Sequence, residues 1–267
     1  MRKHLSAQKH MTMRTSTLAN AMPTMAIASL IALAFAATGC NKEEAVEPTP
    51  AGGGSTNTGG ASVNPVLAGA DGALFAVKTV TIQDIPFIGP IEVEINTGVG
   101  SFYDDAGASI QAGQVRCNDS LFTYQNNAYF FQQSTSNPTG LDFSGGVEWD
   151  VTGGNGIPAF TRQITAIPFP VVEAVTSATT FPRDVDYTLT TTNVAGADSV
   201  YFTVGGVFKR LGGNATSCTF TAAELSTLSA GTSIVQIAAW TYTSEDIGGK
   251  TIYFGNETVQ TRTVTLQ

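Results

Sequence analysis

Glu92 and Glu94 sit two residues apart in IEVEI (91–95), and Glu148 and Asp150 do the same in GVEWDV (146–151). On an extended strand such residues point to one side, ~6.6 Å apart along the axis. A pair of carboxyls at that spacing suits the acid and base of glycoside hydrolysis. Asp104-Asp105, Asp184/Asp186 and Glu245-Asp246 lie near turn signals. A turn such as 184–186 offers the loop oxygens that Ca²⁺ takes. An acidic sandwich, however, carries carboxylates on its wet faces whatever it does, and that explanation takes precedence. The chain is read as non-catalytic, with Ca²⁺ a minor alternative and no other cofactor or metal.

Other chemistries are narrower still. Both histidines (4 and 10) and all five methionines precede residue 40. A chain cut there has no His, the commonest general base near neutral pH, and so no Ser-His-Asp or Cys-His pair. Two remaining cysteines, 117 and 218, are too few for a four-thiolate zinc site. Glycine-rich phosphate loops, nucleophile elbows and zinc-protease motifs are missing from the sequence.

The segment that would be cut away is LIALAFAATG (30–39) and what precedes it. The apolar run 26–37 falls short of the ~20 residues of a spanning helix. It has the length of a secretory signal core, behind Arg2, Lys3, Lys9 and Arg14. Thirty-nine residues before Cys40 exceed the usual leader, and translation from Met11 or Met13 would shorten it.

The triplet Ala37-Thr38-Gly39 before Cys40 resembles the lipobox of bacterial lipoproteins. The resemblance implies cleavage before Cys40 and acylation of that cysteine, with the outer membrane as partner through the lipid. One acyl chain anchors only marginally, and two or three anchor durably. NKEEA (41–45) is similar to the export signal that one phylum of Gram-negative bacteria places after the lipidated cysteine. It would send the protein through Lys42, Glu43 and Glu44 to the outer face of the outer membrane. A solvated spacer, leaving the body on the periplasmic face, is the alternative.

Loss of the leader takes four of the 13 basic residues and none of the 21 acidic ones, for a net charge near −12. Such a chain is a poor ligand for nucleic acid, whose affinity rests on Lys and Arg neutralising phosphates. It is equally poor for anionic lipid.

Residues 41–64 are rich in Gly, Ser, Thr and Pro and cannot bury enough apolar area to fold. As a flexible tether they span roughly 25–30 Å. From residue 65 short runs alternate apolar and polar side chains, the period of half-buried antiparallel strands. Strands are expected at 91–95, 128–131, 147–151, 186–190, 199–204, 234–242 and 258–266. The last places Val259 and Val264 on opposite phases, which suggests a bulge or an edge. TAAELSTL (221–228) is the one helical signal, with Thr221 and Glu224 spaced as a capping box.

The expected fold is all-β: two antiparallel β-sandwich modules, divided in the Pro-punctuated stretch 156–170. The organisation is 1–39 leader, 40–64 lipidated cysteine and tether, 65–168 first module and 169–267 second module. A single 200-residue sandwich is the alternative. The strand order after 171 resembles immunoglobulin-like or fibronectin-III-like modules, without the Cys…Trp…Cys signature. Cys117 shares phase with Val115 and Cys218 with Phe220, so two buried free thiols, one per core, rank ahead of a disulfide.

Trp149 falls on the core phase, whereas Trp240 and Tyr242 fall on the phase opposite Val235, Ile237 and Ala239. Exposed, they would make an aromatic strip for sugar rings or a protein partner. Covered, they belong to a second packed face. Asp119-Ser120-Leu121 and Asp198-Ser199-Val200 look like the sites that the same bacterial group O-glycosylates, which marks Ser120 and Ser199. The functional expectation is a cell-surface binding or adhesion protein whose ligand is a glycan or another envelope protein. The alternative is a structural spacer or accessory subunit of an envelope complex.

Overall fold

The protein is described by a computed structural model at residues 67, 69–85, 87 and 89–267. The described residues open with the long hairpin β1 (Gly72–Ile85) and β2 (Gly89–Tyr103), then the short strands β3 (Ser109–Ile110), β4 (Val115–Cys117), β5 (Ser120–Leu121), β6 (Thr123–Gln125) and β7 (Ala128–Phe130). It continues through β8 (Val147–Val151), β9 (Phe160–Ile164), β10 (Val171–Val172), β11 (Thr180–Phe181), β12 (Tyr187–Thr190) and β13 (Val194–Ala195). Next come β14 (Ser199–Val204), β15 (Val207–Gly212), β16 (Ser217–Phe220) and the single turn α1 (Ala222–Leu225). A second long hairpin, β17 (Gly231–Ile247) and β18 (Lys250–Leu266), closes the chain. The fold is all-β.

Ten of these strands share one sheet, in the order β15-β14-β17-β18-β1-β2-β7-β6, with β11 beside β18 and β3 beside β2. The β17–β18 hairpin is its spine. Gly248 and Gly249 have φ of 61° and 81° and form a two-residue turn between Ile247 and Lys250. Positive φ at both central residues matches the strand twist, and the ladder then runs in register from Lys250 back to Leu266.

Two smaller layers cover one side of the sheet. The four-stranded sheet β5-β4-β8-β9 supplies Val115, Cys117, Trp149 and Phe160 to a first core, which meets Leu74, Phe102, Ile252 and Phe254 from the large sheet. The pairs β12–β16 and β10–β13 supply Leu189, Phe220, Val172 and Val194 to a second core, against Val200, Phe202, Ile237 and Val264. The strands thus feed two cores on this side of the sheet. The far end of the β17–β18 hairpin nevertheless packs into the first core through Ile247, Ile252 and Phe254, so the cores share a spine.

Two expectations are corrected. The sandwich is not antiparallel throughout: β1 pairs with β18 in parallel from Gly72–Ile252 to Ile82–Arg262. No turn joins these strands, so nothing forces them antiparallel. Nor does β18 lie at an edge or carry a bulge. It is central, with Val264 in the second core and Val259 packed on the opposite face. A strand buried on both faces loses the one-sided alternation that marks a half-wet strand.

The helical signal behaves as its spacing predicts. Thr221 is the N-cap, and Glu224 returns the bond to the cap backbone as a capping box. Asp186 Oδ1 also accepts from Ala222 N at 2.8 Å.

Candidate interaction surface

β1 lies beside β18 only as far as Ile82, opposite Arg262. From Thr265 to Leu266 that place is taken by β11. The end of β1 and the start of β2 therefore leave the sheet as a two-stranded finger, with pairing continuing to Ile85–Gly89. The outer edge of β2 is met by β7 only at Val99 and Gly100, and by residues 139–141 only at Asn96. Among the described residues, nothing pairs with the outer edge of 89–95.

Phe87 stands at the finger tip with φ 71° and is fully exposed. Ile91 and Val93 are each 39% exposed on one face of β2. These three are among only seven large hydrophobic side chains exposed in the described residues, so exposed apolar area concentrates here. Glu92 and Glu94, on the other face, are exposed. Glu94 Oε1 accepts from Asn96 Nδ2 at 3.0 Å, and neither glutamate pairs with a described base. The basic residues on neighbouring strands are engaged elsewhere: Lys78 sits over the Phe169 ring at 4.5 Å, and Arg262 donates to Val175 O at 3.1 Å.

The face carrying Ile91 and Val93 continues along the sheet into a third cluster: Ala73, Phe75, Val77, Val99, Tyr201, Ala238, Trp240 and Val259. Trp240 does lie opposite Val235, Ile237 and Ala239 in facing, but it is only 5% exposed. Its ring meets Phe75 edge-on at 5.1 Å and Tyr201 at 5.9 Å. Tyr242 is half-buried, 6.2 Å from the ring of Tyr253. The idea of an open stacking strip is therefore corrected at Trp240, which is buried among other aromatic rings.

Glu257 lies in the same face, opposite Trp240 on one side and Val77 on the other. It is fully buried, and neither carboxyl oxygen has a hydrogen-bond partner among the described residues. Burial holds its carboxyl well above the ordinary carboxylate range, because an apolar setting disfavours the charged form. Alternation gives no hint of it, since the strand carries polar residues on both faces, Thr261 and Thr263 on one and Thr258 and Gln260 on the other.

The remaining sequence-marked residues do not converge. Cys40, Lys42, Glu43 and Glu44 lie outside the described residues. Ser120 is half-exposed beside a tight turn in which Asn118 and Asp119 have φ of 45° and 64°. Ser199 is fully buried opposite Trp240, so the folded chain does not present its hydroxyl for O-glycosylation. Cys117 and Cys218 are free, buried and in separate cores. Burial raises both thiol pKa values.

The acids mostly serve turns. Asp104 Oδ1 accepts from Ala106 N and Ala108 N, and Asp246 Oδ1 from Gly249 N. Asp198 Oδ2 accepts from Thr241 Oγ1 and Tyr242 N, and Glu245 pairs with Arg162 at 2.9 Å. Asp71 and Asp105 hold Lys250 at 3.2 and 2.8 Å, tying the start of β1 to the β17–β18 turn. Glu148 is exposed and Asp150 half-buried on β8. Among the described residues, no group of three or more His, Cys, Asp or Glu is placed to hold a metal ion.

No family model, curated protein or solved structure matches the chain. The surface feature that alternation alone passes over is the finger. Its signal is IPFIGPIEVEI (85–95), in which apolar residues flank a turn that a buried hairpin would make polar.

Proposed function

We propose that the protein is a non-catalytic, lipid-anchored binding protein of the bacterial outer membrane, facing the medium, whose ligand is another envelope protein. The observation that carries the binding role is the β1–β2 finger and the strand edge at its base, with Phe87, Ile91 and Val93 exposed beside an edge that no described residue pairs with. Monomeric domains rarely leave apolar residues grouped on a projecting element unless a partner covers them. The address rests on the lipobox-like Ala37-Thr38-Gly39-Cys40 and on Lys42, Glu43 and Glu44. A glycan ligand has less support, because the ring best suited to sugar stacking, Trp240, is buried.

A structural spacer is the second reading, favoured by a different observation. One ten-stranded sheet runs beneath both cores, which couples them more firmly than a linker between independent modules would.

Protease shaving of intact cells, with mass spectrometry of the released peptides, tests the address. Peptides from 65–267 are expected in the medium before the outer membrane is opened. Release only after permeabilisation would favour a periplasmic scaffold. Substituting Cys40→Ser is expected to move the protein from the membrane to the soluble fraction.

A further inference from the structure

We infer that the free edge of β2 at 91–95 receives an extended segment of a partner protein in which basic residues alternate with aliphatic ones. The inference rests on the reading of the chain as a binding protein and specifies its site. An unpaired strand edge is a row of N–H and C=O groups ready to take another strand. Here the edge offers about 17 Å of backbone. Its two faces state what the added strand must carry.

On one face Ile91 and Val93 are exposed and call for aliphatic side chains beside them. On the other, Glu92 and Glu94 lack basic partners among the described residues. Cross-strand neighbours of opposite charge stabilise a pair of strands, and like charges oppose it. Lys or Arg two residues apart on the incoming strand would meet both carboxylates.

A second copy of this chain fits poorly. Two β2 edges would bring glutamates against glutamates. The sheet's opposite edge, β15, carries Lys209 and Arg210. They are consecutive and so point to opposite faces, and Lys209 is already held by Glu224 at 2.8 Å. An anionic lipid surface is disfavoured by the same two carboxylates.

The test uses the mature lipidated chain in detergent and three fluorescent peptides of equal length. One alternates Ile/Val with Lys, one has Glu in place of Lys, and one scrambles the first. Anisotropy titration is expected to show the Lys peptide binding about tenfold or more tightly than the other two. Glu92→Lys with Glu94→Lys should lose that preference and gain binding of the Glu peptide. N-methylation of alternate peptide amides should abolish binding.

Equal binding of the scrambled peptide, an unchanged preference in the double variant, or no binding by any peptide would each overturn the inference. So would sedimentation showing that the chain self-associates through this edge and loses that association in the double variant. None of these results bears on the shaving experiment, so failure of the edge and failure of the surface address are separable.

Discussion

The ring of Phe75 on β1 lies over Gly255, its register partner on β18. A Cβ at residue 255 would overlap that ring, so the glycine is required for space. This contact seats the strand that opens the body against the strand that ends it.

Gly255→Ala is therefore expected to destabilise the protein by about 1–3 kcal/mol through overpacking. Phe75→Ala should cost about 3–5 kcal/mol through lost burial and the cavity left behind. Because the two sites touch, the double variant should cost less than the sum of the singles. Urea denaturation of the three variants measures this. Strict additivity would mean that the ring and the glycine are not energetically coupled.

Glu257 gives a pH signature of known sign. Its folded pKa is raised well above 4.5 by burial, so the folded chain keeps a proton that the unfolded chain releases. Stability thus falls as pH rises through the unfolded value, until the folded value is reached. Glu257→Gln should gain on the wild type as pH rises above the unfolded carboxyl value of 4.5, and lose that relative gain below it. Denaturation midpoints of both chains on either side of that value report it. Parallel curves would show that Glu257 does not bind its proton more tightly on folding.

The two core thiols should be inert in the native state. Cys117 is completely buried opposite Trp149, and Cys218 is 8% exposed opposite Leu189. Reaction needs the thiolate, which burial disfavours. Alkylation with mass spectrometry is expected to leave both unmodified until denaturant is added. Cys218 should react first, since its thiol lies nearer the surface and beside Lys209, which opposes the rise in its pKa.

Thr221→Ala should cost about 1 kcal/mol by removing one half of the capping box at α1. The loss should appear in thermal melts of the folded chain, with Thr221→Ser close to wild type. Equal losses in both variants would mean that the hydroxyl is not what matters.

Much of this fold was legible because half-wet strands advertise themselves. Val147, Trp149 and Val151 turn inward while Glu148 is exposed, and 147–151 is found as expected. Cys117 and Cys218 fell into separate cores by the same parity. β1 was illegible because Leu74 and Phe75 are both buried, on opposite faces, which erases alternation. β18 misled for the same reason. Trp240 could be assigned a side but not an exposure, since parity says which face a ring takes and nothing of what lies over it. The finger depends on where β11 replaces β1 beside β18, and the partners there, Ile82 with Arg262 and Thr180 with Thr265, lie too far apart in sequence for any local pattern to record.

Placement of the finger at the cell exterior is tested most directly by labelling Phe87→Cys on intact cells with a membrane-impermeant maleimide. The wild type supplies its own control, because Cys117 and Cys218 are buried and the account has the Cys40 thiol blocked by its lipid. The account predicts labelling of the variant before lysis, to the same extent as after it, with the wild type unlabelled. Labelling that appears only once the outer membrane is opened would contradict the account.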